Sequence, residues 1–379
     1  MQKFYSVQQQ STQNGSIGKP NQDRNSTWFR FPGTQCTNAT SFKISQSPYG
    51  FMGVYDGHGA DWGDTISTIV KEYFDEVIPE NWDLLNENPK ETIKNLFSEV
   101  NPLIKGKMIK ILKSKNFEVE LVDIEGNNET FSYIKYRKQG YTSWTNLKGG
   151  TTCSLVFILE NNKLYHAHLG DSECIILDDS LDNKFKVLTQ NHSPDSLEEF
   201  KRINSEFGEK AGICIYDIIN TIFKSSSNCP KIFDRDTDGE FIKLNSHKVW
   251  KENQKKGKTL YQKNVSGDWA TLFCDPQFTE VLAMVRSFGD NYLNSFGLSD
   301  KPSIIEYDIP STGNINFILA SDGLWDNWEK KDLVQFYYKL KGTKTDQNIF
   351  DEIIQTTITK AKANFGSSHD DITTIMFIS

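Results

Sequence analysis

The sequence predicts an α+β protein, with antiparallel sheets and helices packed outside them. Short runs of β-branched and aromatic residues are bounded by Gly, Asn or Asp, as buried strands are. Amphipathic stripes come in pairs and strand runs in hairpins, without regular alternation of the two. That pattern disfavours a doubly wound parallel sheet. No repeat of about 20 to 50 residues is present.

The predicted strands cover 51–55, 154–159, 164–169, 174–177, 317–320 and 373–378. Glu160-Asn161-Asn162 sits between two of them and reads as a hairpin turn. Helical spacing of three and four links Ile66, Ile69, Val70, Tyr73, Phe74 and Val77. The same spacing links Ile93, Leu96, Phe97, Val100, Leu103 and Ile104, then Leu333, Phe336, Tyr337 and Leu340. A last stripe runs from Ile349 through Ile353 and Thr357 to Ala361. All four are expected to face a core.

The 379 residues, 37% hydrophobic with 25 Phe, supply bulk for one large core. We expect one domain over 1–379 with insertions near 115–147 and 205–275, both polar. The first carries a turn at Gly126-Asn127-Asn128; the second carries Ser225-Ser226-Ser227 and a charged run at 251–258.

A net charge of −8 argues against a general nucleic-acid binder. It does not bar an anionic substrate where bound cations reverse the local sign. Six scattered cysteines without a CxxC indicate no disulfide framework and a reducing compartment. The polar N-terminus lacks an apolar leader core and a Gly after Met, so neither secretion nor myristoylation is expected. No apolar stretch reaches about 18 residues, so no membrane insertion is expected. The expectation is a soluble monomer of the cytoplasm and/or nucleus.

Four aspartates stand at the ends of apolar runs. Asp56 closes 51–55 and opens Gly57-His58-Gly59, Asp322 follows 317–321, Asp370 opens the last strand, and Asp23 follows Asn21-Gln22. Taken singly, each could be a turn residue or a helix cap. A carboxylate at a buried strand mouth is costly unless paired, hydrogen-bonded or bound to metal. Two of them ~4 Å apart repel by about 4 kcal/mol at an effective dielectric near 20. No matching set of Arg or Lys lies beside them, so a hard cation such as Mg²⁺ or Mn²⁺ is indicated. Zinc fits worse, since there is no HExxH or Cys/His cluster.

GKPNQDRN (18–25), FMGVYDGHGA (51–60), GGTTCSLVFI (149–158), HAHLGDSECII (166–176), LTQNHSPD (188–195), LAMVRSFGD (282–290), FILASDGLWDNW (317–328) and HDDITTIMFI (369–378) resemble, in order, the signature strings of type 2C (PPM) serine/threonine phosphatases. The resemblance implies a central sandwich of two antiparallel sheets, flanked by helices on both outer faces, with a two-metal centre at one end. It implies that Asp56 bridges two Mg²⁺ or Mn²⁺ ions with the Gly57 carbonyl beside it. Asp322 and Asp370 would hold one ion, and Asp23 would act through water. Asp171 and Asp290 match positions associated with a third, looser ion. His58 would protonate the leaving oxygen, and the partners would be phosphorylated proteins.

The chain also departs from that pattern. Gly18 stands where many members carry a phosphate-binding Arg, leaving Lys19 as the candidate contact, a point charge without Arg's fork. Gln22 replaces a Glu behind the metal site, Glu173 an Arg, Ala60 a Gly, and Asp371 an Asn. Glu173 is expected to weaken an ion pair near the Asp171 loop. The missing Arg keeps a catalytically silent scaffold open as an alternative, and the negative charge disfavours a nucleotide diesterase. Asp234-Arg235-Asp236-Thr237-Asp238-Gly239 resembles the start of a calcium loop, but Asn245 occupies the twelfth position. We read it as a solvated hairpin turn. The stretch between Asp195 and Leu282, a flap in the resembled family, reads as expanded and as a place for substrate choice.

Overall fold

A computed structural model of the chain describes residues 5–12, 20–31, 34–36, 41–44, 49–126, 129–208, 212–215, 232–244, 263–266, 270–277, 279–310 and 315–378. Contacts divide the chain into two units, one of 1–100, 149–190 and 301–379, the other of 101–148 and 191–300.

The first unit is a sandwich. Its strands are β1 Tyr5–Thr12, β2 Arg24–Phe31, β3 Thr34–Cys36, β4 Ser41–Ile44, β5 Tyr49–Tyr55 and β6 Cys153–Ile158. They continue with β7 Lys163–Leu169, β8 Glu173–Leu177, β9 Phe185–Val187, β10 Ser303–Asp308, β11 Asn316–Ala320 and β12 Ile372–Ile378. One sheet has the order β9-β8-β11-β12-β1-β4, the other β10-β7-β6-β5-β2-β3. Every neighbouring pair in both sheets is antiparallel. Each strand predicted from the sequence is present to within two residues.

Period-two alternation explains the layers. Cys174 and Ile176 of β8 enter the core between the sheets with Val54, Val156, Phe317 and Phe377. Their neighbours Ile175 and Leu177 point the other way, into a cluster with residues of the C-terminal helices. Those helices are numbered after three earlier ones: α1 Gly63–Glu80, α2 Trp82–Glu87, α3 Pro89–Ser98, α4 Asp322–Trp325, α5 Lys330–Leu340 and α6 Asp346–Phe365. Against the second sheet, Trp28 packs on Trp82 at 5.0 Å and Tyr55 stacks on Phe74 at 6.2 Å. Full burial of a side chain such as Phe74 contributes roughly 1.5–3 kcal/mol. The fold is the expected α+β sandwich with helices on both outer faces.

The stripe from Ile93 to Ile104 is split between α3 and the helix Val100–Ser114. Pro102 is the reason. In one continuous helix it would lack the bond to Ser98 and clash there, whereas in the first turn of a new helix it is tolerated.

The second unit has its own core of Ile203, Phe273, Val285, Leu293 and Leu298. The polar stretch 115–147 folds there as a hairpin of Phe117–Gly126 with Glu129–Lys138. The helix Leu197–Phe207 is capped by Ser196 and buries Glu199 against Arg202 at 2.9 Å and Arg286 at 3.1 Å. Phe233–Arg235 pairs with Phe241–Lys243, so the calcium-like string is a hairpin turn. Asp236 Oδ1 accepts the N–H groups of Asp238 and Glu240, both at 2.9 Å, serving its own turn. Asn245, Gly18 and Lys19 lie outside the described residues.

Cys153, Cys174, Cys214 and Cys274 are buried free thiols. No helix among the described residues is long and apolar enough to cross a membrane.

His166 and His168 of β7 are wholly buried and stacked at 4.7 Å. His166 Nε2 lies 2.8 Å from Ser154 Oγ, and Nδ1 lies 3.2 Å from the Leu188 carbonyl. Burial lowers the pKa of His166 to about 4, opposed by the Leu188 hydrogen bond. The unfolded chain therefore binds a proton near pH 6.5 that the folded chain refuses until about 4, and stability falls as pH drops through that window. The full term is about 3 kcal/mol. His166→Gln is expected to lose less stability than wild type between pH 7 and 5 in urea titrations. Equal losses would refute this.

Candidate metal centre

Six acids, Asp23, Asp56, Asp171, Asp322, Asp370 and Asp371, gather where strands of the first unit begin or end. Asp56 follows β5 and is held by Thr152, whose N–H donates to the Asp56 carbonyl at 2.8 Å. The Asp56 N–H in turn donates to Thr152 Oγ1 at 3.1 Å. Gly57–His58 then pairs with Gly150–Thr151. Thr152 Oγ1 is also 2.7 Å from Ser172 Oγ, which fixes the residue after Asp171. Asp171 itself follows Gly170, whose φ of 89° takes the chain off the end of β7.

Asp322 begins α4 directly after β11 and Ser321. The Ser321 N–H donates to the Thr373 carbonyl at 2.9 Å, and the Thr373 N–H donates to Ser321 Oγ at 3.0 Å. Ser321 Oγ donates to Asp23 Oδ2 at 2.9 Å.

One carboxylate oxygen from each of Asp56, Asp171 and Asp322 lies within 4.8 Å of the other two. Asp23 is buried, and its pKa rises to about 8 through burial first, then repulsion from Asp370 and Asp371. Asp56 is pushed well above the usual carboxylate range by burial, then by Asp23, Asp322, Asp370 and Asp171. This donor set fits a hard divalent cation. Oxygens about 2.0–2.6 Å from a shared ion stand roughly 3–4 Å apart, a small closure from the spacing present. An all-carboxylate group suits Mg²⁺ or Mn²⁺ better than zinc.

Gln22 joins the segments behind these acids. Its N–H donates to Asp371 Oδ2 at 2.9 Å, its side-chain amide to the Gly59 carbonyl at 2.7 Å, and its carbonyl accepts from Ser67 Oγ at 2.6 Å. An ionised Glu could not donate to Gly59, so the amide suits this position. Arg24 donates to the carbonyls of Asn21 at 2.9 Å and Asp23 at 2.8 Å, and to Thr68 Oγ1 at 2.8 Å, locking the loop to α1. Gly57 is required here, because a Cβ would lie 2.4 Å from the Gln22 carbonyl oxygen.

The predicted residues separate by position. Asp56, Asp322 and Asp171 form the tight group, so Asp171, expected as a looser ligand, stands with the first two. Asp370 is exposed and accepts the Asp371 N–H at 2.8 Å. Gly57 and His58 lie on the short strand next to Asp56. Asp290 belongs to the second unit, where it is buried, accepts Ser287 Oγ at 3.0 Å and adds to the burial that raises Glu280 to about 8. Sequence reasoning missed Thr152, Ser321 and Asp371 as supports. Asp371 accepts the Gln22 N–H through Oδ2, which an Asn oxygen could also do, but its charge adds to the repulsion on Asp23.

The fold and site define a class: an α+β sandwich with carboxylates gathered where its strands end. A model of the family "Protein phosphatase 2C" matches residues 23–211 and 266–365. Protein phosphatase 2C homolog 4 of Saccharomyces cerevisiae is 23% identical over 249 residues, covering 65% of this chain and 53% of that protein. Probable protein phosphatase 2C 73 of Arabidopsis thaliana is 24% identical over 301 residues, covering 75% of this chain and 59% of the relative. The chain thus spans little more than half the length of these curated relatives. The crystal structure of serine-threonine phosphatase 2C from Toxoplasma gondii shares the fold, with 17% identity and a TM-score of 0.52 over 100% of this chain and 96% of that one. The chain belongs to the protein phosphatase 2C family.

Proposed function

We propose that the chain hydrolyses phosphoserine and phosphothreonine esters of proteins at a centre of two Mg²⁺ or Mn²⁺ ions, with room for a third. The observation that carries this reading is the grouping of Asp56, Asp171 and Asp322 at the strand ends of a family member. When bound, such ions lower the pKa of water towards neutrality and polarise phosphoryl oxygens.

The chain's own residues do the rest. Asp56, with the Gly57 carbonyl, would hold both ions, Asp322 and Asp370 one of them, and Asp23 would orient water. Asp171, which the resemblance gives to a third ion, would share a cation with Asp322 beside Asp56. His58 would deliver a proton to the leaving serine or threonine oxygen. Lys19 is the candidate grip on the substrate phosphate. No phosphoenzyme is required, and the thiols agree: burial raises Cys153 and Cys174 well above the range of reactive thiolates.

Phosphate release from a phosphothreonine peptide tests the proposal. Activity is expected with millimolar Mn²⁺ and none in EDTA. Equal rates in the two conditions would sink the metal-dependent reading, and faster turnover of a nucleotide diester would sink the substrate class.

A further inference from the structure

The segments carrying Asp171 and Asp322 are joined by an ion pair that the mechanism above does not use. Glu173 opens β8 two residues after Asp171 and lies opposite Ala320, two residues before Asp322. Lys330, the first residue of α5, places Nζ 2.9 Å from Glu173 Oε2 and 3.0 Å from Oε1. The same Nζ stands 5.6 Å from the Trp325 ring centroid. Trp325 Nε1 donates to the Ala320 carbonyl at 2.9 Å, closing the loop back to the strand that leads to Asp322. On its other side the Asp171 segment is tied through Ser172 to Thr152, which holds Asp56. Asp171 thus sits between two anchors, one leading to Asp56 and one to Asp322.

We infer that Glu173 and Lys330 form a positioning pair that sets the spacing of Asp171 against Asp322 and so the affinity of the cation they share. The inference rests on reading Asp56, Asp171 and Asp322 as cation ligands. Both side chains are about a quarter to a third exposed, at 25% and 30%, and pairs so placed contribute little to global stability. Their consequence is geometric. Groups that orient metal ligands change affinity far more than they change folding. The sequence-based expectation that Glu173 weakens an ion pair is therefore reversed: Glu173 makes one with Lys330.

The test uses Glu173→Lys, Lys330→Glu and the double variant carrying both. Mn²⁺ affinity is measured by calorimetry, and thermal midpoints are taken in EDTA and in Mn²⁺. Each single variant is expected to bind Mn²⁺ about tenfold more weakly, with its EDTA midpoint within ~2 °C of wild type. The double variant is expected to recover wild-type affinity. A simple charge effect would move the two single variants in opposite directions, since one adds positive and the other negative charge near the carboxylates. Opposite shifts, no shift, or failure of the double variant to recover would each overturn the inference. Failure of wild type to bind Mn²⁺ would instead overturn the reading of the carboxylates, and this inference with it.

Discussion

Asp56→Asn is expected to lower Mn²⁺-dependent phosphate release by about 10³-fold or more while making the metal-free chain more stable. The two effects share a cause. Asp56 lies among Asp23, Asp322, Asp370 and Asp171, and burial together with their repulsion holds its pKa well above normal. A carboxyl whose folded pKa is raised favours folding least at high pH. Its penalty grows as pH rises from the ordinary carboxylate value to the folded one. A neutral amide of the same shape removes that penalty, worth about 1 kcal/mol or more, and also removes a charge that would hold the proposed cations. Urea denaturation in EDTA at pH 8, beside the peptide assay, checks both halves. Lower metal-free stability in the variant would contradict the picture of mutually repelling acids.

Gly323→Ala is expected to destabilise the chain by about 3 kcal/mol and to impair Mn²⁺ binding. A Cβ on Gly323 would lie 1.9 Å from the Asp371 carbonyl oxygen and 2.9 Å from its carbon. Both obstacles are backbone, so α4 must move away from the start of β12 and take Asp322 with it. Gly106→Ala provides the control. Nothing lies within 4 Å of a Cβ there, inside the helix Val100–Ser114, and Ala should stabilise by roughly 0.5–1 kcal/mol. Thermal midpoints of the two variants should therefore move in opposite directions; parallel shifts would mean that the close approach of α4 and β12 does not constrain the site.

What the sequence made legible follows burial. The runs 51–55 and 317–320 are buried without interruption, and their apolar composition marks them. β1 lies between β12 and β4, yet it contains three glutamines, one of them buried, so its strand character comes from ladder bonds and not from apolar pattern. The Phe117–Gly126 hairpin was hidden differently. Its strands are partly exposed, and pairs such as Arg137 with Glu118 make them read as polar coil.

The acids divide along the same line. Asp56 and Asp322 end apolar runs and stand out, whereas Asp171 emerged only through its family string. Asp370 and Asp371 are adjacent and chemically alike. Only the backbone path buries Asp371 against Gln22 and leaves Asp370 exposed. Thr152 and Ser321 act through hydrogen bonds between segments far apart in sequence, which no local pattern encodes.

The most direct test of the central claim is anomalous diffraction from crystals grown with Mn²⁺. Peaks are expected about 2.0–2.3 Å from carboxylate oxygens of Asp56 and Asp322, absent in crystals of Asp56→Asn. Wild-type crystals with no peak among Asp56, Asp171 and Asp322 would contradict it.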